Sequence, residues 1–258
     1  MSLNILILGG TTEASALARA LKDDVRFAPM LSLAGVTKSP VLPPIPHRIG
    51  GFGGIEGLAD HLRREKIALM VDATHPFAAR MSFNAAGAAA LANVPLLAVA
   101  RAPWLPVAGD QWIMTPGMES AADALGDVPK RVFLTIGQKD LAPFRRARQH
   151  HYLLRSVDAP EADHLPPSVT LISARGPFAE ADERVLLAGH RIDVIVTKNS
   201  GGTATMAKLA AARALSLPVV MVERPARPQG VETVGTADEA MAWLARHHGA
   251  YLSARRGV

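Results

Sequence analysis

"ILILGGTTEASALARAL", residues 5–21, runs four apolar residues into two glycines and two threonines, and then into a stretch whose apolar positions recur at helical spacing. The economical reading is strand, sharp turn, helix. A backbone that bends at Gly9 and Gly10 and then opens a helix aims unpaired N–H groups above the strand end, where the helix dipole favours an anion. Phosphate is the first ligand to consider, although a tight strand-to-helix turn also accepts glycine on steric grounds alone.

The alternation extends outward from that stretch. Residues 5–8, 26–33, 67–71, 96–100 and 112–114 read as strands, and 13–21, 55–64, 77–92 and 119–125 as helices. It then restarts, with strands at 131–136, 152–157, 169–173, 193–196 and 219–222 and helices near 140–148, 179–187, 203–215 and 237–246. This predicts an α/β protein of two Rossmann-like or flavodoxin-like domains with parallel sheets, over residues 1–126 and 127–258. The halves read as copies. Residues 71–101 lie over 194–224 without a gap, so that Thr74 falls on Thr197, Pro95 on Pro218 and Arg101 on Arg224, each 123 residues apart. Each block is followed by a Pro-rich loop, a short strand and a terminal helix, "QWIMTPGMESAADAL" and "VETVGTADEAMAWL". Ligands of open α/β sheets bind beyond the carboxyl ends of the strands, so two such domains are expected to line one cleft.

Composition bounds the chemistry. The chain has 258 residues, 49% hydrophobic and 20% charged, which is ample for folded cores. With no cysteine it has no disulfide, thiolate metal site or cysteine nucleophile. The longest apolar stretch, 85–100, is interrupted by Asn93 and Pro95 and is too short to span a bilayer, and no secretory basic region precedes Ile5, so a cytoplasmic protein without membrane contact is expected. The net charge of +5 suits nucleic acid or a small polyanion. The densest basic stretch, Arg145, Arg146, Arg148, His150 and His151, carries no nucleic-acid motif and reads as a solvated helix end. No nucleic-acid partner is expected. The terminal "HHGAYLSARRGV" reads as a frayed basic tail.

Polar and glycine residues gather at the strand ends. Gly9-Gly10-Thr11-Thr12-Glu13 follows the first strand, and Asp72-Ala73-Thr74-His75-Pro76 follows the strand at 67–71. In the second half, residues 197–203, "TKNSGGT", combine backbone donors, hydroxyls and a lysine, an anion cradle or else a turn with a helix cap. Four glycines around Phe52, residues 50–54, read as a flap, as a close backbone approach, or as a strained turn.

Taken together, "ILGGTTEA", "GGFGGIEGL", "VDATHPFA", "TIGQKDLAPF", "RGPF", "VTKNSGGTATMAKL" and "PVVMVERP", in this order, resemble the precorrin-6A reductases of the cobalamin (vitamin B12) pathway. The resemblance implies NADPH-dependent reduction of one double bond of the macrocycle precorrin-6A to precorrin-6B, without a metal. The substrate would be a polycarboxylate tetrapyrrole, and transient contact with neighbouring pathway enzymes would follow. A full dinucleotide fingerprint is absent: Gly9-Gly10 lacks the later glycine spacing, and residues 32–39 hold no Asp or Glu but do hold Lys38 and hydroxyls, which favours NADPH over NADH.

Cofactor contacts are expected at Gly9, Gly10, Thr11, Thr12 and Glu13, at Ser32, Lys38 and Thr74, and at Asn199, Ser200, Gly201 and Gly202. Arg101, Lys139, Arg175 and Lys198 are candidates for the substrate carboxylates, with Gly51, Phe52 and Gly53 in the flap. His75 reads as the proton donor, or else as a carboxylate anchor or helix cap. Two other readings remain open: a cofactor-free tetrapyrrole enzyme resembling uroporphyrinogen III synthase, and a non-catalytic sensor or carrier.

Overall fold

The computed structural model describes residues 2–35, 42 and 44–256. β1 (Leu3–Leu8) sits inside a six-stranded parallel sheet with β2 (Phe27–Leu33), β3 (His47–Ile49), β4 (Leu69–Asp72), β5 (Leu96–Val99) and β12 (Glu232–Val234), in the order β12-β5-β4-β1-β2-β3. Apart from Asn4, whose side chain donates to the carbonyl of Glu65, its residues are apolar on both faces because both faces are covered. Ile5 and Ile7 pack with α1 (Thr12–Leu21) and α8 (Ala237–Arg256) through Leu17, Leu21, Trp243 and Leu244. Leu6 and Leu8 pack with α2 (Gly54–Arg64) and α3 (Ala79–Ala92) through Leu58, Leu62, Ala85 and Ala88.

The second sheet has the order β6-β11-β10-β7-β8-β9 and is also parallel. Its strands are β6 (Trp112–Thr115), β7 (Arg131–Thr135), β8 (His151–Ser156), β9 (Val169–Ser173), β10 (Val194–Lys198) and β11 (Val219–Val222). Its helices are α4 (Met118–Asp123), α5 (Ala142–Arg146), α6 (Glu180–Gly189) and α7 (Ala207–Ala214). Phe133, Ile195 and Met221 form a core with Leu187 of α6 and Leu209 of α7.

The α/β class and the duplication hold, and the expected boundary at 126/127 does not. One unit is Met1–Arg101 with Ala226–Val258, and the other is Ala102–Pro225. The reason lies in the pairing of the short terminal strands. β6, which follows the first half, pairs with β11, while β12, which follows the second, pairs with β5. Each half gives its last strand and helix to the other's sheet, and with that exchange the two strand orders coincide.

The gapless overlay also needs correction. The amide of Met70 donates to the carbonyl of Pro95, and the amide of Ile195 to that of Pro218. β5 and β11 therefore correspond as overlaid, but β4 and β10 are two residues out, so Thr197 matches Asp72 and Asn199 matches Thr74. The span from Ile195 to Pro218 is two positions shorter than that from Met70 to Pro95, and the shortening falls in the helix, α7 having 8 residues where α3 has 14.

Two further differences are local. The segment 203–215 becomes helical only at Ala207, and 140–148 shrinks to a 3₁₀ turn, Gln138–Asp140, followed by α5. The basic tail is helical as far as Arg256 because α8 is well started and anchored. Glu239 accepts from the amides of Gly235 and Thr236 while Thr236 Oγ1 accepts from the amide of Glu239, a capping box, and Trp243 Nε1 donates to Glu232 of β12 at 2.8 Å.

Candidate functional site

In the first sheet the chain leaves β1 towards β2 and returns to β4 on β1's other side. The loops after β1 and β4 therefore diverge at the carboxyl edge, where open α/β sheets bind ligands. At Gly9 a Cβ would come within 2.6 Å of Leu31 Cδ1, so any larger residue would have to displace that buried side chain. Gly10 differs: its φ is +121°, and a Cβ would find nothing within 4 Å. The backbone here is bare and faces open space. Thr11 then caps α1, its Oγ1 accepting from the amide of Ala14 at 3.1 Å and donating to the carbonyl of Ala73 at 2.8 Å. That hydroxyl is occupied by the fold, so Thr11 can offer a ligand only its amide. The first-turn amides of Thr12 and Glu13 find no acceptor among the described residues. Glu13 pairs with Arg101 at 2.9 Å, both side chains largely buried, so one expected cofactor contact and one expected substrate contact touch each other.

β4 ends on Asp72, which is buried and accepts from both the amide (3.1 Å) and the hydroxyl (2.6 Å) of Thr74. His75 follows, its Nδ1 accepting from the amide of Phe77 at 3.2 Å. The neutral ring therefore carries its proton on Nε2. Thr11 ties this loop to the β1 turn through Ala73.

Ser32, at the end of β2, is buried and lies directly opposite Arg48 of β3. Arg48 donates to Ser32 Oγ at 2.8 Å, and its guanidinium lies 4.0 Å from the centroid of the Phe52 ring. Lys38 lies outside the described residues.

The second unit repeats the topology with a different finish. Where α1 opens directly after Gly10, the 3₁₀ turn after Gly137 holds exposed Lys139 and brings Asp140 to 2.5 Å from Lys198 Nζ. The "TKNSGGT" loop is largely committed to packing. Asn199 is buried, and its amide accepts from Trp104 N at 2.8 Å and donates to Trp104 O at 3.0 Å. Trp104 Nε1 donates to Gly202 O at 2.8 Å. Gly201, at φ +66°, lies so close to the carbonyl of Ala102 that a Cβ would be 2.1 Å from it. Ser200 is half-buried on the same loop, and Arg175 is exposed in the loop after β9.

These strand ends can be set beside known proteins. The chain matches the family described as "Precorrin-6x reductase CbiJ/CobK" over residues 4–245. It belongs to that family. A "Precorrin-6A reductase" of Sinorhizobium sp is 53% identical over 245 residues, 93% of this chain and 94% of that one. Another, of Rhodobacter capsulatus, is 49% identical, covering 94% and 96%. The solved structure "CobK precorrin-6A reductase" superimposes with a TM-score of 0.89 at 49% identity, covering 95% of this chain and 97% of its own. Among the described residues no helix is long and apolar enough to cross a membrane.

Sequence reasoning missed several residues of this precorrin-6x reductase fold. Arg48 and Asp140 are drawn in by partners 16 and 58 residues away, separations that no local motif reports. Lys208 was also unforeseen. It is fully buried, donates to Thr205 O at 2.8 Å and sits 5.0 Å from the Trp104 ring. Nearby, Arg155 and Glu183 form a buried ion pair, with Arg155 stacked 3.7 Å from the Phe178 ring. Burial pushes the Lys208 amine down to about 7, with Arg155 acting in the same direction and Glu183 against it.

Proposed function

We propose that this chain, a cytoplasmic enzyme, reduces one double bond of precorrin-6A to precorrin-6B with NADPH as reductant. Family membership supports the reaction. The observation that supports the cofactor is the bare, left-handed Gly10 backbone in front of unpaired first-turn amides, at the point where the strand order reverses. A pyrophosphate needs close backbone approach and N–H donors, and the first unit offers both. The second unit's Asn199, Gly201 and Gly202 serve packing, which leaves Ser200 and the loop's exposed edge for a lesser contact.

When bound, the nicotinamide supplies a hydride to one carbon of the double bond; the other atom needs a proton. His75 delivers it from Nε2 as the imidazolium, giving up the Phe77 contact at Nδ1 while both nitrogens carry protons and returning afterwards to the neutral ring that the Phe77 amide holds. Lys198, held by Asp140, and the exposed Lys139 and Arg175 receive substrate carboxylates. Arg101 acts through Glu13 to fix the start of α1. Titration with NADPH and NADH, followed by nicotinamide fluorescence, tests the reading. NADPH should bind at least tenfold more tightly, and precorrin-6A should gain two hydrogens by mass. No binding of either nucleotide would return the protein to the cofactor-free reading.

A further inference from the structure

We propose that Arg48 and Ser32 form a phosphomonoester site that receives the 2′-phosphate of the dinucleotide, so that the glycine loop at 50–54 serves the nucleotide and not the macrocycle. The inference rests on the NADPH reading above and assigns the group that reads the phosphate.

Position is the first argument. In this strand order the adenosine ribose lies at the end of the strand following the first helix, where NAD-binding domains place an acid. Here that strand is β2, which ends in Leu31-Ser32-Leu33 without a carboxylate and sets Arg48 opposite Ser32.

Pre-organisation is the second. Arg48 Nη1 donates to Ser32 Oγ at 2.8 Å and to Gly50 O at 2.9 Å, and Nη2 donates to Gly51 O at 3.0 Å. One face of the guanidinium rests on Phe52, which packs in turn against His61 at 5.0 Å. A planar fork held in this way loses little further freedom on binding. The contacts also explain the glycines. Gly50, at φ +125°, makes the turn that presents the Gly50 and Gly51 carbonyls to the guanidinium, and Gly53 and Gly54, at +85° and +95°, turn the chain into α2 behind Phe52.

Charge is the third. Arg48 forms no ion pair among the described residues, so only carbonyl and hydroxyl dipoles oppose its charge. The three donations leave Nε–H and one Nη2 hydrogen, the side edge that a phosphate accepts from bidentately. Ser32 Oγ accepts from Arg48 and keeps its own O–H to donate to a phosphate oxygen.

Calorimetry with adenosine 2′,5′-bisphosphate and with AMP isolates the 2′-phosphate. The wild-type protein should bind the bisphosphate about ten- to hundredfold more tightly than AMP, with the ratio shrinking as salt rises. Arg48→Gln should remove most of the ratio while AMP affinity changes less than twofold. Arg48→Lys should keep part of it, and Ser32→Ala should lose a smaller share. The ratio of NADPH to NADH affinity in the same proteins separates the two readings. A wild-type protein that prefers NADPH while all three variants keep the full preference overturns Arg48 and Ser32 as readers and leaves the cofactor standing. A wild-type protein with equal affinities removes both. Should Arg48→Gln fail to fold, Arg48→Lys and Ser32→Ala decide the question alone.

Discussion

Asn199 pairs with the backbone of Trp104 as one strand residue pairs with another, its side-chain amide both accepting from the indole residue's N–H and donating to its carbonyl. Both atoms of a buried amide are thus used on one neighbour. Asn199→Ala should leave that N–H and carbonyl unpaired at a cost of about 1–3 kcal/mol, visible as a lower thermal midpoint. NADPH affinity should change little if the pyrophosphate binds at Gly10, as proposed. A loss of affinity larger than the loss of stability would restore Asn199 as a cofactor ligand.

Gly10 and Gly126 offer a matched comparison. Both have positive φ, +121° and +72°, and a Cβ at either would meet no atom within 4 Å. Alanine at either position should therefore strain the backbone by about 1–3 kcal/mol. Only Gly10→Ala should also weaken NADPH binding, since only there would the added methyl face the proposed pyrophosphate site. Equal nucleotide affinity in the two variants would move the phosphate elsewhere.

His75 and Lys198 should separate in steady-state kinetics. If Nε2 of His75 delivers the proton, His75→Ala lowers kcat with little change in KM. Lys198→Ala should raise KM about tenfold, the order expected for one charge-assisted contact. Asp140→Asn, which releases Lys198 from its partner, should shift KM in the same assay and leave kcat in place. Unaltered constants in all three would exclude these strand ends from the reaction.

Lys208 sets a pH dependence of stability. Its amine titrates near 7 in the folded protein and at the ordinary value of 10.5 when unfolded, so between these values the unfolded chain binds more protons and stability rises with pH. Lys208→Met removes the titration. Relative to wild type, the variant should do best at pH 6 and lose that advantage by pH 10, measured by urea denaturation across the range. A difference constant with pH would mean that the amine is not buried in its charged form's disfavour.

Much of this was legible in the sequence. Apolar runs with both faces covered announce central parallel strands, and the turn at Gly9-Gly10 announces itself by composition. β3 did not: three residues following Pro46 carry no period to detect, and their strand character comes from pairing with β2. The exchange of β6 and β12 was equally silent, because a short strand with a helix behind it looks the same whichever sheet it joins. The overlay of Thr74 on Thr197 failed for a related reason. Matching threonines and prolines reward a gapless alignment, while the carbonyls that Met70 and Ile195 bond to record the true register.

The exchange also imposes an order on folding during synthesis. Ala102–Pro225 is one uninterrupted stretch, so the second sheet can be completed as soon as residue 225 has emerged. The first sheet begins earlier and finishes later: until residues 232–234 appear, β5 is an open edge, and until Trp243 and Leu244 appear, the Ile5 and Ile7 face lacks part of its cover. A nascent chain that stalls near its end, or a premature stop after residue 225, therefore harms the beginning of the protein and spares its middle. Damage at the carboxyl terminus would be felt at Gly10, more than two hundred residues away in the chain.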